Sequence, residues 1–328
     1  MASALAAATL GPALAWAEDS RFVSIGTGSL TGTYYPVGSL IASVLSSPPG
    51  ARPCGDAGGC GVPNLILVAE TSKGSVANVE AISAGRIATG FGQSDVAYGA
   101  FSGTGVFAGR EPMASLRALA SLYVESVHLV VTAISGIKRV GDLRGRRVSL
   151  DVEGSGTLID ALAVLEAFGL TPSDLTAVHV PQDRAIDLMT GGALDALFIV
   201  AGYPAATVTE LTRTIGAQLV PIFGEPVGRL LAGHRFLTLD DIPGDTYPGV
   251  DSGTPTVGVA ALWLTSADFD EELAYQITRA LFDPMILKKL ADGHPKGGSI
   301  ALPHALRGVA IPLHPGAARF YRERGVAE

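Results

Sequence analysis

Side chains able to do covalent or acid–base chemistry are few in this chain and scattered. Six histidines (His128, His179, His234, His294, His304 and His314) stand without any H-x-x-H or H-E-x-x-H grouping, so no metal is expected. Ser155, within Gly154-Ser155-Gly156-Thr157, is a conceivable nucleophile, yet G-x-S-x-G is not matched and no base can be assigned to it. Asp151 and Glu153 could work as a carboxylate pair, although acids in a loop after a strand are commonly just solvated. What recurs is neutral hydrogen-bonding chemistry. The stretches Gly26-Thr27-Gly28-Ser29-Leu30-Thr31-Gly32-Thr33, Thr71-Ser72-Lys73-Gly74-Ser75, Gly92-Gln93-Ser94 and Gly154-Ser155-Gly156-Thr157 are, Leu30 and Lys73 apart, built from glycine, hydroxyl and amide residues. Such groups hold a ligand without transforming it. No catalytic residue and no cofactor are expected.

Each of these stretches lies between an apolar run and a helical pattern. Phe22, Val23 and Ile25 read as a strand, and Val37, Leu40, Ile41, Val44 and Leu45 repeat at the i, i+3, i+4, i+7, i+8 spacing of a one-sided helix. Pro36 falls in the first turn, where a missing N–H costs nothing. The first loop therefore ends at a helix N-terminus, whose unpaired N–H groups and positive dipole end suit an anion. An ordinary βα turn has the same composition. The G-x-G-x-x-G order and the P-loop lysine are both absent, so neither nucleotide motif is met.

The pattern repeats along the chain. Residues 65–69 form an apolar strand before a helix over 75–82, where Ser75 and Asn78 project from one side of the first turn, Ser75 reading equally as a cap. A strand over 87–91 leads to a helix for which Ser94 is the natural N-cap, with the Gln93 amide facing outward. A strand over 147–150 precedes a helix over 158–168 that stops at Gly169, and Thr157 with Asp160 resembles a capping box. Strands over 177–180 and 195–200 are each followed by a further helix. This alternation predicts an α/β fold with mostly parallel sheets and ligands at the carboxyl ends of the strands. Residues 116–132 are a long apolar stretch interrupted by Tyr123-Val124-Glu125-Ser126, where the chain could cross between lobes. Residues 256–264 form the last long strand, and the helix after Asp268 packs back on the first lobe.

At 328 residues the chain is long enough for two lobes, and 48% hydrophobic with 16% charged residues means globular. A net charge of −8 argues against nucleic acid and anionic membrane surfaces as partners. Residues 1–17 read as a secretory signal, with an apolar run before Ala15-Trp16-Ala17, although a basic n-region is missing. Beyond it no apolar run is long enough to span a bilayer, so no membrane insertion of the mature chain is expected. Cys54 and Cys60 are the only cysteines; in an exported chain they most simply form one small-loop disulfide, and a metal site has no nearby histidine to support it. Residues 46–64 then read as a stapled loop, neither strand nor helix.

Taken together, Ile25-Gly26-Thr27-Gly28, Thr31-Gly32-Thr33-Tyr34-Tyr35-Pro36, Gly74-Ser75-Val76-Ala77-Asn78, Gln93-Ser94-Asp95-Val96-Ala97-Tyr98, Val127-His128-Leu129-Val130, Gly154-Ser155-Gly156-Thr157 and Ile311-Pro312-Leu313-His314-Pro315-Gly316-Ala317 resemble the TAXI family. These are extracytoplasmic solute receptors of TRAP transporters. The resemblance covers essentially the whole mature chain in order. It implies a periplasmic binding protein of type II topology, with two α/β lobes joined by a hinge and the ligand in the cleft. The lobes would be 18–125 with the return segment 266–328, and 126–265. It implies a small anionic solute of the glutamate, glutamine or 2-oxoglutarate class, delivered by a monomeric periplasmic receptor to permease subunits of a TRAP transporter. Carried onto this chain, the ligand-binding residues would be Gly28, Thr31, Gly32, Thr33, Tyr34, Ser75, Asn78, Gln93, Ser94 and Tyr123, with Ser155, Gly156, Thr157 and Tyr203 from the second lobe. The main TRAP receptor family grips its carboxylate with an arginine; these loops carry none, and Lys73 is the nearest cation. Two other readings stay open: a ligand sensor for a membrane histidine kinase, and a hydrolase or transferase using Ser155.

Overall fold

The computed structural model describes residues 20–51 and 59–327. The expected signal peptide, residues 1–17, and Cys54 of the expected cysteine pair lie outside the described residues.

The chain opens as β1 (Arg21–Gly26) and α1 (Tyr34–Leu45), then two short strands, β2 (Ser46–Ser47) and β3 (Val62–Pro63), before β4 (Leu65–Glu70). Next come α2 (Ser75–Ser83), β5 (Thr89–Gln93) and α3 (Ser94–Ser102). Alternate residues Val23, Ile25, Leu65 and Leu67 bury one face of β1 and β4 beneath Val37, Ile41 and Leu45 of α1, as period-2 and period-3.6 patterns require. The expectation of no strand between residues 46 and 64 is corrected: Ser46 pairs with Val62 and Ser47 with Pro63, because the segment folds back beside β4 and its backbone groups need partners.

β6 (Leu116–Val131) is one unbroken strand through Tyr123-Val124-Glu125-Ser126. Beyond it lie β7 (Arg147–Ser149), α4 (Gly156–Ala167), β8 (Thr176–Val178), α5 (Gln182–Thr190), β9 (Ala196–Ala201), α6 (Ala206–Ile215), β10 (Gln218–Val220), α7 (Glu225–Gly233) and β11 (Leu237–Ile242). The chain returns through β12 (Thr254–Ser266) to α8 (Glu271–Leu281), α9 (Pro284–Gly293) and α10 (Pro315–Glu323).

The fold is two α/β lobes. In the first, β4, β1 and β5 run parallel; in the second, β8, β7 and β9 do. The long strands break this rule, since β12 runs antiparallel to β5 and β6, and β6 antiparallel to β9. The local βα pattern could not show that, because strand direction is fixed by the crossovers rather than by side-chain type. Buried side chains separate accordingly: Leu119, Leu122 and Tyr123 of β6 and Trp263 of β12 pack with β1 and α1, whereas Val127 and Leu129 of β6 and Val257 and Val259 of β12 pack with β7 and α4. The lobes are thus joined by two strands that ladder to each other across the boundary, Glu125 opposite Val259 and Ser126 opposite Gly258. Trp263 is fully buried edge-on to Phe91, and Phe91 edge-on to Tyr34, ring pairs worth about 0.5–1.5 kcal/mol each beyond the area they bury.

Candidate functional site

The loops at the carboxyl ends of β1, β4 and β5 face those after β7 and β8 across a cavity of about 620 Å³. Its wall is made of helix starts. Thr33, Gly74, Gln93, Ser155 and Pro181 are the N-cap residues of α1, α2, α3, α4 and α5, and all of them line this one space. An N-terminal turn leaves its first N–H groups without intrahelical partners, so they serve caps or whatever occupies the cavity.

Of the residues expected from the sequence, the structure brings together Gly28, Thr31, Gly32, Thr33, Tyr34, Ser75, Gln93, Ser155, Gly156 and Thr157 in the cavity wall. Several of them bind protein as well. The Tyr34 hydroxyl donates to Glu125 Oε2 at 2.6 Å. Ser75 does not cap α2; its Oγ accepts from Gln93 N at 3.1 Å, tying two loops together. The cap of α4 is Ser155, whose Oγ accepts from Leu158 N at 3.1 Å, so the capping box expected at Thr157 and Asp160 is not formed. Thr157 instead accepts from Val200 N at 3.1 Å, and Asp160 accepts from Gln93 Nε2 at 3.0 Å.

Four expected residues lie elsewhere. Asn78 is buried behind the loops, and its Nδ2 donates to Gly26 O, Thr27 O and Phe91 O at 3.1, 2.7 and 2.8 Å; it organises the β1 and β5 ends from within. Ser94 is the first residue of α3 rather than its cap, and a Cβ at Gly308 would lie 3.4 Å from its Oγ, so it faces the return segment. Tyr123 is in the first-lobe core, its hydroxyl buried without a partner among the described residues. Tyr203 lies beneath Lys296, with Nζ 3.5 Å from the ring centroid.

The cavity also holds Lys73, the nearest cation to the loops, and Asp151, weighed above as a catalytic acid, together with Glu125 and Gln182, which were not anticipated. Gln182 is the first residue of α5, after a fifth loop that follows a strand, the signal that identified the others. Glu125 had shown only as a polar break in an apolar run.

The lobes touch around the cavity. Thr33 Oγ1 donates to Gly202 O, Thr207 N to Thr31 O at 3.2 Å, and Ala77 N to Gly154 O at 3.1 Å. The last contact needs small residues: Gly74 (φ 110°) and Gly154 (φ 92°) occupy left-sided conformations where α2 and α4 begin. This is a closed cleft.

Behind the cavity sits a cluster of acids. Burial pushes Glu125 up to about 8, against the opposing pull of the Tyr34 hydrogen bond and of Lys296. Burial also raises Asp95 to about 6 and holds Asp160 well above the ordinary range, reinforced by neighbouring Asp95 and Glu125. Asp151 is raised by burial to about 6. Acids raised in the folded state bind more protons there than in the unfolded chain, so stability falls as pH rises from about 4 towards 8. His128 acts oppositely: burial lowers it to about 4, so its contribution is lost as pH falls below its ordinary value. From these groups the melting temperature is therefore expected to be highest near pH 4–5, where the raised acids outweigh the one lowered histidine, and to drop by several degrees by pH 8.5; calorimetry showing a flat or rising profile over that range would contradict this charge assignment.

Ser155 does not make a catalytic centre with the groups described. Its hydroxyl is engaged by α4, while His128 faces Tyr247 Oη at 2.8 Å and His179 faces Asp151 O at 3.1 Å. Among the described residues no group of three His, Cys, Asp or Glu is placed to hold a metal, and no helix is long and apolar enough to cross a membrane.

Solved structures share this architecture. MatC from Rhodopseudomonas palustris with bound malate is similar at 14% identity over 94% of this chain and 99% of its own, with a TM-score of 0.51. A protein described as a periplasmic transporter is similar at 12% identity over 83% of this chain and 87% of its own, TM-score 0.51. One from Bordetella bronchiseptica RB50 is similar at 16% identity over 92% and 88%, TM-score 0.50. At these identities the likeness is one of fold. A family model described as NMT1-like matches residues 25–325, nearly the whole described chain, and the protein belongs to the NMT1-like family.

Proposed function

We propose that this protein is an extracytoplasmic solute receptor that closes its two lobes around a small carboxylate and presents it to a membrane permease. One observation carries the reading: five helix starts, drawn from both lobes, open into a single interlobe cavity. Converging N–H groups suit a carboxylate, because charge-assisted hydrogen bonds offset the desolvation of a buried anion. Lys73 at the wall adds a cation. The reading as a receptor rather than an enzyme is supported by Ser155 serving as the α4 cap, with neither His128 nor His179 bonded to it. The bound malate of MatC, a protein of the same fold, agrees with a carboxylate ligand.

Within this reading the receptor is of the TAXI type, serves a TRAP permease, is exported to the periplasm as a monomer and carries the Cys54–Cys60 disulfide. Its lobes are 18–125 with 266–328, and 126–265, with β12 shared between them. Gly28, Thr31, Gly32, Thr33, Tyr34, Ser75, Gln93, Ser155, Gly156 and Thr157 hold the solute. Ligand shifts the open–closed balance only by its preference for the closed form, so affinity and closure are expected to move together.

The test is titration calorimetry of the purified protein with L-glutamate, L-glutamine, 2-oxoglutarate and L-malate, with mass spectrometry of the recovered solute. Binding of at least one with its mass unchanged is the expected result. Conversion of the solute, or no binding by any of the four, overturns the reading.

A further inference from the structure

Glu125 is the one residue that belongs to the cavity wall, to the buried acid cluster and to the strand joining the lobes. It is 3% exposed. Its Oε2 accepts the Tyr34 hydroxyl at 2.6 Å, which leaves Oε1 as the oxygen it can offer to the cavity. The neighbours matter for its charge. From α1 comes Tyr34, from its own strand Tyr123, from α3 Asp95, from α4 Asp160, and from the return segment Lys296, which also faces Asp240 of β11. One lysine stands against three buried carboxylates, and like charges so placed cannot all ionise. An ionised Glu125 would also repel the carboxylate that the helix starts attract.

We propose that Glu125 is a specificity-determining residue that meets the solute as a neutral carboxylic acid, donating a hydrogen bond from Oε1 to a carboxylate or carbonyl oxygen of the solute. This deepens the receptor reading and rests on it. The acid takes the place of an arginine at this end of the cavity: a donor that carries no charge, and so binds an oxygen acceptor while rejecting an ammonium group, which has no acceptor to offer. Capture then requires the proton to be present. With Glu125 at about 8 in the unliganded protein, affinity holds below pH 7 and declines above pH 8, approaching tenfold per pH unit as the acid ionises.

The experiment is calorimetric titration of 2-oxoglutarate and L-glutamate into wild-type protein, E125Q and E125A between pH 6 and 9, repeated at pH 8 in two buffers of different ionisation enthalpy. Wild type is expected to lose affinity by about fivefold between pH 8 and 9 and to take up about half a proton per solute at pH 8. E125Q, a neutral donor of the same shape, is expected to bind within about threefold of wild type at pH 6 and to keep that affinity to pH 9. E125A is expected to bind at least tenfold more weakly at pH 6. A remaining slope in E125Q would assign the titration to Asp95, Asp160 or Lys296 and overturn the proposal. So would wild-type affinity that is flat, or that rises with pH as an anionic Glu125 gripping an ammonium would require. Each of those outcomes leaves the receptor reading standing. Absence of binding by either probe at every pH in wild type removes this inference, and the receptor reading is then judged separately on L-glutamine and L-malate.

Discussion

Gly156→Ala is expected to lower solute affinity by at least about 100-fold, equivalent to about 2.7 kcal/mol, while both lobes stay folded. Gly156 opens α4 on the second lobe, and a Cβ there would overlap Gln93 Oε1 from the first lobe and lie 2.9 Å from Ser75 Oγ. A flexible side chain could step aside, but Gln93 is 2% exposed and its Nε2 is held by Asp160 at 3.0 Å. Making room means breaking that interlobe bond or holding the lobes apart. Neither α4 nor the cores depend on the missing methyl, and alanine is the better helix former. The damage therefore falls on closure. Calorimetry with the bound solute gives the affinity, and small-angle scattering reads the open form directly. Gly141→Ala, at a position with open space around it, is the control and should change nothing. Wild-type affinity in Gly156→Ala would mean that the closed contact between α4 and β5 is not part of the binding-competent state.

Asn78→Ala is expected to behave in the contrary way, with a large stability loss and little intrinsic loss of affinity. The Asn78 amide satisfies three main-chain carbonyls at 1% exposure. Truncation strands those acceptors where water has little access, a cost of about 2–5 kcal/mol. For a lobe of this size that lowers the melting temperature by about 5–15 °C. Below that temperature, solute should bind within a few-fold of wild type, because Asn78 is not part of the cavity wall. A melting temperature within two degrees of wild type, with binding abolished, would return Asn78 to the site.

The contrast between these residues marks what a single sequence can show. The loops were legible because composition and position agree: glycine and hydroxyl residues between a strand and an amphipathic helix place Thr33, Ser75 and Thr157 around helix starts whatever the tertiary fold. Which way a side chain then points is decided by contacts from distant segments. Asn78 is three residues from Ser75 and seemed its equivalent, yet Gly26 and Phe91 draw it inward. Ser94 is claimed by the return turn at Gly308, more than 200 residues later in the chain. Tyr203 is covered by Lys296, and Tyr123 is buried with Trp263. Glu125 escaped notice for the converse reason. A charged residue in an apolar strand reads as an interruption until the fold reveals that a cavity opens beside it. The short pairing of β2 with β3 was invisible because residues 46–47 and 62–63 carry no alternating pattern.

The passage of β6 and β12 through both lobes without a break has a mechanical consequence. Neither crossing is a loop, so opening by torsion along the two paired strands, which keeps the rungs Glu125–Val259 and Ser126–Gly258 and can draw on the register shifts beside Tyr123 and Ala120, asks for less than unravelling a connector. Glu125 lies on this strand pair, so if it meets the solute as proposed, contact with cargo is made on the element that joins the two lobes.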